Sequence, residues 1–233
     1  MKTNRNVLAS RMNANKISVR KSLNILLFMV VASSYSNAQS VTPKYTYNVE
    51  LCLPVAMSNE TFNDFMQGLV GVSTYGQYSF PFHLNVGAGV RYSYFAINEF
   101  SVPSPVFGGV HSGSAFLKVG YDKFHNDRFA TDFGLKAGYS HTFFDTDLNK
   151  QAGMNPVDVG STFAEFTTAF ILTATEKSSY RWIIGYGMQG FGFSPDRIGL
   201  QTNGGYDPAN FKTITTYLVV GFGYTYYFGK SGG

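Results

Sequence analysis

The 233-residue chain is 17% aromatic and only 14% charged, with a mean hydropathy of -0.06. That charge lies well under the roughly 25% of a soluble domain, and no run approaches the about 18 apolar residues that a spanning helix needs. Residues 1–38 hold six of the 18 basic residues and no acidic one, leaving 12 basic against 14 acidic in the rest, so the net charge of +4 is no mark of a nucleic-acid-binding surface.

In chain order, residues 1–22 are basic and the apolar stretch 23–32 follows. Ser36 and Ala38 then stand at −3 and −1 of a cut before Gln39. This order predicts a secretory signal peptide over 1–38 and a mature domain over 39–233. Translation starts at Met1 or Met12. The apolar stretch is too short to span a bilayer. A transit peptide is the alternative for an acid-free segment bearing Arg and Ser, and the compact apolar centre argues against it.

Beyond the leader the chain reads as strands throughout, with period-2 alternation between clusters of Asn, Asp, Gly, Pro and Ser. Strands are predicted near 45–53, 69–80, 82–97, 113–124, 129–144, 161–174, 180–194 and 213–228. Eight is an even number, as single-chain bacterial barrels require, and most are long enough to cross a bilayer at a tilt. Short connections near 79–81, 125–128 and 175–179 alternate with long ones at 54–68, 98–112, 145–160 and 195–212. All the long ones then fall at one end of the sheet.

The last strand alternates most clearly. Leu218, Val220, Phe222, Tyr224, Tyr226 and Phe228 share one face, and Val219, Gly221, Gly223, Thr225 and Tyr227 the other. Volume decides which face is inside. A lumen of eight strands has room only for side-chain filling or one small ligand, and the chain holds 22 Phe and 16 Tyr. Large residues are therefore placed outward, and glycine and polar residues inward. The expected fold is all-β, an eight-stranded antiparallel up-and-down transmembrane β-barrel, closed because hydrocarbon tolerates no open sheet edge.

With this layout and its closing Tyr224-x-Tyr226-x-Phe228, the chain resembles the small outer-membrane β-barrels of the OmpA-like and OmpX-like kind over residues 45–228. The aromatic ending resembles the signal read by barrel-assembly machinery, although Gly229–Gly233 follow where the family often stops at the Phe. The resemblance implies a bacterial outer membrane, a periplasmic N-terminus and extracellular long loops. It implies as partners outer-membrane lipids, the assembly machinery and, for an accessory subunit, another outer-membrane protein. The group spans structural barrels, adhesins, enzymes and secretion accessories, so the fold leaves the role open.

Parity points six charged residues inward: Glu50, Arg91, Lys118, Lys136, Glu165 and Arg181. Charges in a narrow lumen need partners, because an isolated buried charge costs several kcal/mol. Cross-lumen ion pairs that plug the barrel are expected, with a narrow solute pathway as the alternative. Phe62, Phe65, Met66 and Leu69 stand at i, i+3, i+4 and i+7, one apolar face of a helix that Ser58 could cap. That helix is expected to pack over the barrel mouth or dock a partner. His83, His111, His125 and His141 show no metal spacing, and Cys52 stands alone. No metal or cofactor is expected, and no enzyme is assigned. A hydrolase of lipid or peptide is the alternative, on His111-Ser112-Gly113-Ser114 and on Asp145 and Asp147 beside His141. The function expected is an integral outer-membrane barrel with a closed lumen, acting as a structural or binding component or as an accessory subunit of an envelope complex.

Overall fold

The computed structural model describes residues 44–102, 106–153, 157–200 and 205–228; the leader expected over 1–38 lies outside them. Eight antiparallel strands form a closed barrel in sequence order. They are β1 (Tyr45–Ser58), β2 (Met66–Ser79), β3 (Leu84–Ile97), β4 (Gly108–Phe124), β5 (Phe129–Thr146), β6 (Val157–Thr175), β7 (Ser178–Gly192) and β8 (Ile214–Phe228). The seam pairs β1 with β8, from Tyr45 opposite Phe228 to Ser58 opposite Thr216. At one end the strands are joined by tight turns, and at the other by longer loops. Those loops carry α1 (Glu60–Phe65) after β1, α2 (Asp147–Gln151) after β5, and two 3-10 turns after β7.

Burial alternates along every strand, as a barrel filled with side chains requires. The outer wall is apolar: Leu51, Leu117 and Phe222 are 61%, 69% and 70% exposed. The inner face is polar for most of its length, and Asn48, Glu50, Lys118, Lys136 and Glu165 are all buried there. Placing every large residue outward was too strict. Tyr75, Phe116, Phe163, Ile183 and Tyr217 lie inside, because inward glycines make room for large neighbours. A Cβ at Gly187 would collide with the ring of Tyr217, and one at Gly134 would stand 2.7 Å from Cε of Lys118.

Five strands, β1, β2, β4, β5 and β6, run further toward the loop end than predicted, while β7 stops at Gly192, short of the expected 194. Residues 54–58, 108–112, 145–146 and 157–160, expected in loops, belong to β1, β4, β5 and β6. A second hydrophobic core inside the loop-end mouth holds them. Phe62, Phe65, Phe95, Val110, Phe144, Phe191, Phe193 and Ile198 are buried there. Phe62 packs edge-on against Phe95 and Phe193, at 5.0 and 5.6 Å between ring centres. Arg197 lies over the rings of Phe144 and Phe191. Removing each such ring from water contributes about 1.5–3 kcal/mol.

The helix in the first loop is shorter than the spacing suggested and is capped differently. Asn59, not Ser58, accepts from the Phe62 amide. Asn59 holds a left-handed backbone, φ 63, which Asn tolerates better than most residues. Its amide donates to the carbonyls of Phe193, Asn210 and Thr213, tying the first long loop to the last. Met66 and Leu69 belong to β2. Only Leu69 of the four reaches the outside, at 49% exposure; Phe62, Phe65 and Met66 are covered within the protein. The predicted apolar face therefore closes the mouth and is not open to a partner.

Candidate functional site

The lumen gathers all six predicted charges into one network. Arg91 on β3 meets Glu165 on β6 at 2.5 Å. Lys136 on β5 bridges Glu165 at 3.0 Å and Glu50 on β1 at 2.6 Å. Glu50 also accepts from the Tyr75 hydroxyl at 2.7 Å and faces Arg181 on β7 at 3.9 Å. Arg181 in turn binds Asp132, which takes Lys118 on β4 at 2.6 Å. The chain of contacts thus runs Arg91, Glu165, Lys136, Glu50, Arg181, Asp132, Lys118 and crosses the lumen from β5 to β1.

Aromatic rings support it. Lys118 and Lys136 lie 5.3 and 5.2 Å from the centre of the Tyr75 ring, and Arg91 lies 5.6 Å from that of Tyr217. Such cation–π contacts stabilise desolvated cations by up to about 2 kcal/mol.

Asp132 was missing from the predicted set although it shares the parity of Lys136. Asp122, directly opposite it on β4, is also inside, held by the Ser79 hydroxyl at 3.2 Å. With both included, four carboxylates face four cations: Glu50, Asp122, Asp132 and Glu165 against Arg91, Lys118, Lys136 and Arg181. The six-residue set alone left an excess of two cations, and that imbalance was the signal that acids had been overlooked.

Toward the loop end a layer of hydroxyls follows. Ser112 is bound by Ser140 at 2.8 Å, Thr142 at 3.1 Å and Gln189 at 2.6 Å. The hydrophobic core of the mouth lies above it. Toward the turn end, a recess of 30 Å³ lined by Thr46, Gln77, Ser79, Asp122 and Arg181 remains, room for about one water and not for a solute.

Strand alternation separates the residues considered for catalysis. His111 faces out and bonds the Tyr92 hydroxyl through Nδ1 at 2.8 Å, while Ser112 is 1% exposed inside the lumen. His141 pairs with Asp158 at 2.9 Å, not with Asp145 or Asp147. Asp145 holds Lys150 at 2.7 Å, and Asp147 accepts the Phe107 amide at 2.9 Å. Among the described residues no group of three His, Cys, Asp or Glu side chains could hold a metal. Cys52 is a buried free thiol in the lumen wall. At the loop end, the Tyr206 hydroxyl donates to Asp64 at 2.7 Å. That bond, with partial burial, pushes its pKa up to about 12.

No protein-family model matches the chain, and no curated protein matches it. Solved structures do. Neisserial surface protein A is 12% identical, with 79% of this chain and 97% of that one covered and a TM-score of 0.54. The attachment invasion locus protein Ail of Yersinia pestis is 10% identical, covering 79% and 99%, with a TM-score of 0.46. The outer membrane protein OprG from Pseudomonas aeruginosa is 12% identical, covering 80% and 97%, with a TM-score of 0.38. The likeness to the neisserial protein is one of fold.

Proposed function

We propose that this chain, which has the fold of the small eight-stranded barrels, spans a bacterial outer membrane as a closed structural and binding component, with its turns in the periplasm and its loops outside. The observation that carries this reading is the pairing of an apolar outer wall with a lumen filled by ion-paired side chains and capped by hydrophobic packing. Hydrocarbon accepts the wall and the closed ladder. Solutes find no path through the middle. The loop end, stiffened by its own core, is the surface left to meet other molecules.

Two measurements test this. Purified barrel in planar bilayers should give no stable conductance steps, and a large persistent open state would overturn the closed lumen. Trp182 is the only tryptophan and faces outward, 43% exposed. Its emission should be blue-shifted in lipid vesicles and quenched several-fold by brominated acyl chains. A water-like spectrum that resists such quenching would overturn the membrane-spanning reading.

An envelope-complex subunit is the form of this function we favour over catalysis, since His111 and Ser112 point to opposite sides of the wall. Gentle extraction followed by identification of co-purifying proteins distinguishes a subunit from a solitary barrel.

A further inference from the structure

On the outer wall, close to the loop end, four strands place Tyr92, Gly113, His141 and Gly160 side by side in register. One step nearer the loops the same strands carry Tyr94, His111, Phe143 and Asp158; one step further from them stand Val90, Ala115, Tyr139 and Thr162. The small residues Gly113 and Ala115 follow one another along β4, so a trough runs down that strand. A Cβ at Gly113 would meet nothing within 4 Å. Gly160, by contrast, is roofed by the Tyr139 phenol, so Gly113 forms the open floor. Two strand spacings separate its walls, Tyr92 and His141, by about 10 Å.

The trough changes character along its length. Its loop-side end is polar: Tyr92 is bonded to His111 at 2.8 Å, and His141 to Asp158 at 2.9 Å. Its other end is apolar, with Ala115, Val90 and then Leu117, which is 69% exposed. An ionisable pair on a lipid-facing wall is costly in hydrocarbon, so its place here fits the depth of the polar headgroups. A phosphate would call for a cation, and none of the twelve wall positions named above is Lys or Arg. Imidazole, carboxylate and phenol instead offer hydrogen bonds to hydroxyl or amino groups, and the electron-rich faces of Tyr92 and Tyr139 suit the C–H face of a sugar ring.

We propose that this trough binds one membrane glycolipid, with an uncharged or amino sugar at Tyr92, His111, His141 and Asp158 and an acyl chain along Gly113, Ala115 and Leu117. The inference rests on the membrane-spanning reading above and adds the chemistry of a bound lipid to it.

The test uses the full barrel in phospholipid nanodiscs doped with a synthetic glucosyl diacylglycerol. Native mass spectrometry then counts the lipids that stay bound on release. Wild type should retain one glucosyl lipid per barrel, at least tenfold over its share of the bulk. Gly113→Trp, which projects into open space, should drop retention to the bulk share. The double variant His141→Ala, Asp158→Ala should lose the preference for the sugar while still holding diacyl lipid. Equal retention by wild type and Gly113→Trp, or no preference for glucosyl lipid over phospholipid, would leave only an ordinary aromatic girdle and overturn the site. Displacement of the lipid by millimolar methyl glucoside would show a site for free saccharide and overturn its assignment to a lipid. Quenching of Trp182 in the same discs reports insertion independently, so a failure of the membrane reading is told apart from a failure of the site.

Discussion

Asp132→Asn should lower the unfolding free energy of the barrel by about 3–5 kcal/mol, the usual loss when one partner of a buried ion pair is removed. The carboxylate serves two cations at once, Lys118 and Arg181, and is 1% exposed. Asparagine keeps its shape and removes its charge. Lys118 is then left with the Gln77 carboxamide at 2.7 Å, and Arg181 with Asn48 at 3.1 Å and Glu50 at 3.9 Å. Urea unfolding in lipid vesicles, read by Trp182 emission, measures the loss. Asp122→Asn is the comparison. Its carboxylate has hydrogen bonds from Ser79 and Gln77 but no cation within 4.0 Å among the described residues, so its loss should be nearer 1 kcal/mol. Adding Lys118→Met to Asp132→Asn should restore part of the stability, since the two groups are directly coupled. Similar losses for Asp122→Asn and Asp132→Asn would show that the network is general polarity and not specific pairing.

Asn59→Ala should release the loop end while leaving the barrel closed. The substitution removes a helix cap, about 1 kcal/mol. It also removes the two amide protons that three carbonyls share, two of those carbonyls only partly buried, at about 1 kcal/mol for each of the two protons. Alanine at φ 63 adds strain of about 1 kcal/mol. The sum, of order 3–5 kcal/mol, falls on the contacts between the first and last long loops. Limited proteolysis in nanodiscs should therefore cut the residues 59–65 and 205–213 far faster than in wild type, with the strands protected. Uniform loss of protection across strands and loops would mean that the mouth core is not a separate unit.

These effects also show where the sequence was legible. Alternation alone places Arg91 and Lys136 in the lumen and Leu117 and Phe222 on the wall, because a one-residue slip would turn every side chain to the wrong face. The same parity held Asp132, and counting charge would have recovered it. The helix was less readable. Phe62, Phe65, Met66 and Leu69 have helical spacing, yet the chain enters β2 at Met66, and a bulge between Gly68 and Val70 shifts the register there. Local period cannot foresee a tertiary decision of that kind. The apolar residues near the loop-side ends of the strands were legible as hydrophobic but not as a core. Only closure of the barrel brings Phe95, Phe144 and Phe193, far apart in sequence, into one cluster, with Phe62 between Phe95 and Phe193 and Phe144 against Phe193.

The β1–β8 seam has a consequence for how the chain reaches its final state. Every other strand pair joins neighbours in sequence, but the seam joins residues from opposite ends, with Tyr45 beside Phe228. When pairing proceeds in chain order, it closes last, after the seven other pairings. Until then an incomplete sheet presents two raw borders, each with a row of unpaired amides and carbonyls that hydrocarbon cannot hydrate. Each such group left bare costs several kcal/mol. Spontaneous, strand-by-strand entry into lipid is therefore closed to this chain. It must either zip up in one concerted event at the membrane surface or have its borders held by something that pairs with them until the ring is complete.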